Sequence, residues 1–462
     1  MNSTNERPRT PLRPPSAPAP GTGKKRNTDL YAGKRNINGE ILEPPPPGTP
    51  TPGLFHALVA AMEAMNRFDA PADRTLTFIF REFKNLGSRE RAKVADVAYS
   101  WLRHYASFNE HYPSNTARRW AIAALKEYTG ISVAAAAHHG TKGDLSWLRE
   151  RLSAEVRKLS PAQAHECPEW LWERLVSQEG EAAASTLMKA MQFPARFDLR
   201  VNTLLAKRDE VLARFLAEGL AAEPTPFAPN GIRFAAPIAL QNHALFTSGA
   251  VEVQDEGSQL LAQLVGAKRS EMVGDFCAGA GGKTLAIGAM MASTGRLYAM
   301  DVGEKRLKNL NPRMNRAQLT NVHPMLIDSE TDSRLKRLAG KFDRVLVDAP
   351  CSGLGTVRRN PDLKWRQTAA GVEEMNAKQL RILRAAAKLV RPGGRLVYGT
   401  CSILREENEG IVETFLADAG FTKLSAAQIL GREDLGGEVL RLSPVTHGCD
   451  GFFACAMERN SA

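Results

Sequence analysis

A chain of 462 residues has room for two to four domains with cores of their own. Its 43% hydrophobic and 24% charged residues are ordinary globular usage, which excludes a wholly disordered or fibrous chain and predicts a soluble multidomain protein. A net charge of +11 admits a polyanionic partner without requiring one. Residues 1–53 carry 8 basic and 4 acidic side chains, 54–160 carry 16 and 11, 161–262 carry 8 and 13, and 263–462 carry 29 and 22. Two folded-looking regions are therefore basic, and the one between them is acidic. No run of about 18 apolar residues spans a bilayer, and the opening MNSTNERPRTPLRPPS lacks an apolar signal core. The six cysteines form no CxxC pair, which predicts reduced thiols in a cytoplasmic protein without structural zinc. His104, His111, His138, His139 and His165 show no metal spacing.

Twelve of the 27 prolines fall in residues 1–53, and the composition predicts a disordered, partly polyproline basic tail. From Leu54, apolar residues recur at helical spacing through FHALVAAMEAM, ADRTLTFIFREF and SRERAKVADVAYSWLRHY, so residues 54–160 are expected to form an all-helical domain. Ser88, Arg91, Asp96 and Arg103 read as its solvated face. Pro161 and Pro168 punctuate the next boundary. Short β-like pieces (ARFDLRVNT, GIRFAA, VEVQD) then alternate with helical ones, predicting a small α+β connector over 161–262. Residues 263–462 alternate regularly between strands ending in DFCA, YAMD, MLID, VDAP and YGTCS and intervening helices. That pattern predicts an α/β, doubly wound, Rossmann-like sheet whose ligands sit beyond the carboxyl ends of its strands.

The first of these strands runs into Cys277, Ala278, Gly279, Ala280, Gly281, Gly282 and Lys283 before a helix. Such a turn lets the backbone approach a ligand at a helix N-terminus. A phosphate-binding P-loop would need glycine at position 277, and a dinucleotide fingerprint would need it at 284; Cys277 and Thr284 stand there instead. An adenosyl ligand without a long phosphate chain remains. Asp301 closes the second strand, where a carboxylate can accept from ribose hydroxyls, and Asp328 closes the third, where an adenine would lie.

The fourth strand ends in Asp348-Ala349-Pro350-Cys351 and the fifth in Thr400-Cys401. Adjacent strand ends would bring both thiols to the mouth of one cleft. Methylation of cytosine C5 requires such a group: a thiolate adds to C6 and makes C5 nucleophilic, and it departs once the C5 proton has gone. An acid beside N3 and N4, the place of Asp348, would stabilise the adduct.

The motifs DFCAGAGGKT, DAPCSGLGTVRRNPDLKW, YGTCSILREENE and DGFFACAMER resemble those of the Sun-type RNA cytosine-5 methyltransferases, nearest to the bacterial ribosomal RNA branch. The resemblance covers about residues 54–460, with a NusB-like RNA-binding start and the family's small domain before the catalytic one. It implies that Cys277 to Lys283, Asp301, Asp328 and Asp348 contact S-adenosylmethionine, with Arg306 a further contact. It also implies that Cys401 is the nucleophile, that Cys351 assists release and that Asp348 faces the base. The proline-cysteine order of DNA cytosine-5 enzymes would instead make Cys351 attack. The chain has Gly279-Ala280 where the family often has Ala-Pro, a small-for-small exchange that leaves a more flexible loop. The implied substrate is RNA, ribosomal first and transfer RNA second; neither metal nor membrane is expected from the residue spacing, and a monomer is the default expectation. A non-catalytic assembly factor would be expected to lack Cys401 or the glycine turn; both are present. The stretch Arg358 to Arg366, mixing cations with Trp365, reads either as an RNA contact or as a surface loop held by a packed tryptophan.

Overall fold

The computed structural model describes residues 44–155 and 157–461. The expected tail lies outside the described residues up to position 43. The end of that stretch does not belong to it, because Thr49, Pro50 and Thr51 already make defined contacts. Pro50 is buried and its carbonyl lies 2.7 Å from His139 Nε2. Thr51 caps the first helix, Pro52–Met65, by accepting from Leu54 N–H at 3.2 Å, with proline at the position where a missing N–H costs nothing. Helices Ala72–Glu82, Ser88–Arg103, Ala117–Thr129 and Lys142–Ser153 complete an all-helical unit around Leu58, Met62, Trp101 and Ile122.

Two further helices, Glu169–Glu179 and Glu181–Met191, precede the connector sheet in sequence but do not share its core. Leu171, Leu175 and Met188 pack instead against Leu354, Val357 and Leu404, just after the two thiol motifs. Within the predicted α+β stretch, these helices and the sheet thus have separate cores. The sheet is the antiparallel set β1 (Phe197–Val201), β2 (Ala222–Pro224), β3 (Gly231–Phe234) and β4 (Val251–Val253), in the order β2-β3-β1-β4. Helix Arg208–Ala217 covers it through Val211 and Phe215.

The large sheet runs β7-β6-β5-β8-β9, all parallel: β5 (Met272–Asp275), β6 (Arg296–Asp301), β7 (Val322–Leu326), β8 (Phe342–Asp348) and β9 (Val390–Thr400). Helices Gly282–Met290, Glu304–Arg316 and Ala369–Ala387 make the crossovers, while a 3₁₀ turn, Ser333–Leu338, stands where a third helix was expected before β8. Three antiparallel strands extend the β9 edge: β10 (Phe421–Leu424), β11 (Val439–Leu442) and β12 (Phe452–Arg459), with β12 paired to β9, β10 and β11. The sheet is thus doubly wound as expected but mixed. Among the described residues no helix is long and apolar enough to cross a membrane, and no group of three or more metal-binding side chains gathers.

The stretch Arg358 to Arg366 joins the units and does not present its cations to solvent. Arg358 donates to the carbonyls of Pro194, Gly448 and Cys449. Lys364, 1% exposed, donates to the carbonyl of Arg103 at 3.2 Å, and burial pulls its pKa down to about 8. Trp365 packs on Tyr105 at 5.1 Å between ring centres. Arg103 is correspondingly half-buried and donates to Arg358 O, so the last turn of its helix is a domain contact and not the solvated face expected there. Arg359 bridges Asp255 at 2.8 Å and Asp450 at 2.6 Å. Replacing Arg359 with methionine leaves two buried carboxylates without their cation, and the expected loss is about 3 kcal/mol in urea unfolding. A solvent-facing RNA contact would lose under about 0.5 kcal/mol.

Candidate active site

Strand order reverses at β5, whose neighbours are β6 and β8. Ligands of open α/β sheets sit beyond the strand ends at such a reversal. A cavity of about 460 Å³ opens there, lined by Phe276, Cys277, Gly279, Asp301, Arg306, Ile327, Asp328, Asp348 and Ile382 among others. That is the size of a small-molecule site.

The glycine turn shapes one wall. Gly279 and Gly281 have φ of +57° and +87°, in the left-handed region that disfavours side chains. A Cβ on Gly279 would meet nothing within 4 Å, whereas one on Gly281 would lie 2.1 Å from Leu310 Cδ1. The turn is therefore packed behind and bare in front. Asp301 accepts from Gly279 N–H at 2.8 Å and Gly303 N–H at 2.6 Å, and pairs with Arg306. Arg200 of β1 donates to Gly282 O at 3.0 Å, so the connector sheet also props the turn. Asp328 lies two residues beyond β7, exposed at the rim.

The carboxylates Asp301 and Asp328, the apolar walls of Phe276, Ile327 and Ile382, and the side-chain-free face of Gly279 suit a nucleoside bearing an amino-acid chain. Of the expected cofactor contacts, Cys277, Gly279, Asp301, Asp328, Asp348 and also Arg306 line the cavity. Ala278 is buried, Ala280 is exposed, and Gly281 and Gly282 are the backbone behind it. Lys283 faces elsewhere: its ammonium donates to Asp348 at 2.6 Å and lies 5.7 Å from the Phe452 ring centre. Burial works against its charge, yet Asp348 outweighs burial and holds the ammonium above the ordinary lysine range. Burial likewise pushes the Cys277 thiol up, so it is a wall and not a nucleophile.

The two remaining thiols meet. Cys351 Sγ and Cys401 Sγ are 3.5 Å apart, each half-buried just after its strand. The hydrogen bond with Cys401, followed by burial, raises the Cys351 thiol well above the ordinary range. The site therefore contains two thiols in contact, which share one hydrogen bond, and a carboxylate-ammonium pair.

Asp275 was missed in the sequence, although it is an acid at a strand end beside the glycine turn, as Asp301 is beside its own. It accepts from Thr284 at 2.7 Å through one oxygen, and its other oxygen is buried without a partner. Burial pushes its pKa up to about 7 from 3.8. The stability this group contributes is whole below pH 3.8 and is lost as pH rises through about 7. Asp275→Asn should thus gain on the wild type by up to about 4 kcal/mol between acid and mildly alkaline pH in urea unfolding, whatever its offset at low pH.

A family profile described as "16S rRNA methyltransferase RsmB/F" matches residues 262–458, and a second, for the ferredoxin-like domain of the same enzymes, matches residues 167–241. The probable ribosomal RNA small subunit methyltransferase B of Bacillus subtilis is 33% identical over 317 residues, covering 66% of this chain and 68% of that protein. The protein of the same description from Synechocystis sp. PCC 6803 is 34% identical over 311 residues, covering 66% and 69%. The crystal structure of a protein designated PH0851 superposes with a TM-score of 0.75 at 22% identity, covering 89% of this chain and 99% of that one, which shows a shared fold.

Proposed function

Since the chain belongs to the RsmB/F family of ribosomal RNA methyltransferases, and is thus an S-adenosylmethionine-dependent RNA methyltransferase, we propose that it methylates C5 of a cytosine in 16S ribosomal RNA. The observation that carries the C5 reading is the contact between Cys351 and Cys401 beside the cavity. Transfer to an exocyclic nitrogen or a ribose oxygen needs no thiol, whereas transfer to C5 needs one to add at C6 and a way to remove it.

In this reading the cavity at the glycine turn holds S-adenosylmethionine, with Asp301 and Asp328 on the nucleoside and Cys277 to Gly282 forming the wall. The bound cofactor supplies an electrophilic methyl group. Cys401, as thiolate, forms the bond to C6 and drives the C5=C6 electron pair toward C5. Lys283, held by Asp348, supplies positive potential for the charge that develops on the ring, and the Asp348 carboxylate is an acceptor for the exocyclic amine. After methylation C5 bears both a proton and the new methyl group. Cys351 then gives its proton to Cys401 as the C6–S bond breaks, and its own thiolate takes the proton from C5. The double bond reforms and both thiols end protonated.

The helical unit is read as the part that presents RNA, with Arg74, Arg81, Lys84 and Arg89 on its exposed surface. Bisulfite mapping of cellular RNA with and without the gene tests the substrate. One cytosine of 16S ribosomal RNA should lose its protection; a change confined to transfer RNA or to the large-subunit RNA would refute the 16S assignment.

A further inference from the structure

Between the two thiol loops lies a carboxylate that the chemistry above does not use. Glu407 is 0% exposed, and among the described residues no lysine or arginine pairs with it. Burying a carboxylate without a cation costs several kcal/mol unless hydrogen bonds replace its water. Here four do. Oε1 accepts from the backbone N–H of Ser352 at 2.7 Å and from Gln379 Nε2 at 3.0 Å. Oε2 accepts from the hydroxyls of Ser352 and Ser402, each at 2.5 Å. Ser352 directly follows Cys351, and Ser402 directly follows Cys401.

The four donors come from both thiol loops and from the helix behind them. Gln379, itself fully buried, also donates to Pro350 O at 3.0 Å, one residue before Cys351. Asn408, next to Glu407, donates to Ser402 O at 3.1 Å and accepts from Thr400 Oγ1. A neutral amide cannot accept all four bonds. Glutamine has one acceptor oxygen, so two of the four donors lose their acceptor and the two serine hydroxyls would have to turn from donating to accepting.

We propose that Glu407 is the positioning residue that holds the Cys351 and Cys401 loops together and so sets the thiol contact through which the proton passes at product release. The functional half of this inference rests on the C5 reading above; the geometric half does not. The negative charge of Glu407 also acts in the required direction. After the Cys401 hydrogen bond, burial and the Cys401 charge, it is a further cause that keeps Cys351 protonated.

The test uses the full chain with Glu407→Gln. The azo oxidant diamide takes two electrons and two protons from the two thiols, forming the Cys351–Cys401 disulfide and a hydrazine. Its rate reports their separation without RNA or cofactor, and peptide mapping identifies the bond. Cross-linking and kcat should both fall by about tenfold or more, while cofactor affinity and the RNA KM stay near wild type. Should Glu407→Gln not fold, Ser402→Ala removes one of the four ties and should move both rates the same way, by less. Unchanged cross-linking in a folded variant overturns the proposal, and slowed cross-linking with unchanged kcat overturns its link to turnover. If the product were not 5-methylcytosine, the C5 reading would fail while the cross-linking result still judged the geometry.

Discussion

Cys401→Ala should lower methyl transfer to RNA by roughly 10⁴-fold or more, to background, because in the proposed mechanism it removes the group that makes C5 reactive. Cys351→Ala should behave differently. It leaves attack and methylation intact but removes the proton carrier 3.5 Å from the attacking sulfur, so the enzyme should remain bonded to its RNA. A denaturing gel with labelled RNA separates the two: no slow-migrating adduct for Cys401→Ala, and an accumulating one for Cys351→Ala. The opposite pattern would assign attack to Cys351, as in the DNA enzymes.

Gly281→Ala is the second substitution with a large expected effect. A side chain there would keep the left-handed φ of +87° at a cost of roughly 1–2 kcal/mol and would strike Leu310 at 2.1 Å. Leu310 is buried on the helix Glu304–Arg316, which starts three residues after Asp301, so yielding at Leu310 disturbs the carboxylate that holds Gly279. Calorimetry should show S-adenosylmethionine affinity reduced by about tenfold or more. Gly279→Ala carries similar backbone strain but leaves Leu310 untouched; its methyl group projects into the open face of the cavity and should lower affinity by filling it.

The grouping of the candidate site residues was largely legible because they lie at strand ends, and strand ends show in sequence as an apolar run followed by an acid, a glycine or a cysteine. Asp301, Asp348, Cys351 and Cys401 all follow that pattern, and the parallel order then places them together. What stayed hidden depends on distant partners. Arg358 and Arg359 look like RNA contacts in a stretch of cations; their acceptors lie 90 or more residues away, at Asp255, Gly448 and Asp450, or well over 100 away, at Pro194. Glu407 sits in REENE, which reads as an exposed acidic turn, and it is buried only because Ser352 and Gln379 come to it from other elements. The β12 strand was hidden for another reason. FFACAM is covered on both faces and therefore lacks the alternation that marks a half-exposed strand. The helices 169–191 follow the second proline boundary and look like part of the connector, and only their packing on Leu354 and Leu404 shows that they brace the thiol loops.

The atom that receives the methyl group separates C5 chemistry from every alternative. Incubating the protein with 16S ribosomal RNA and isotopically labelled S-adenosylmethionine, then digesting the RNA to nucleosides for mass spectrometry, identifies that atom directly. The predicted result is label in 5-methylcytidine, absent with Cys401→Ala. Label found only in N4-methylcytidine or in 2′-O-methylated nucleosides would rule out transfer to C5.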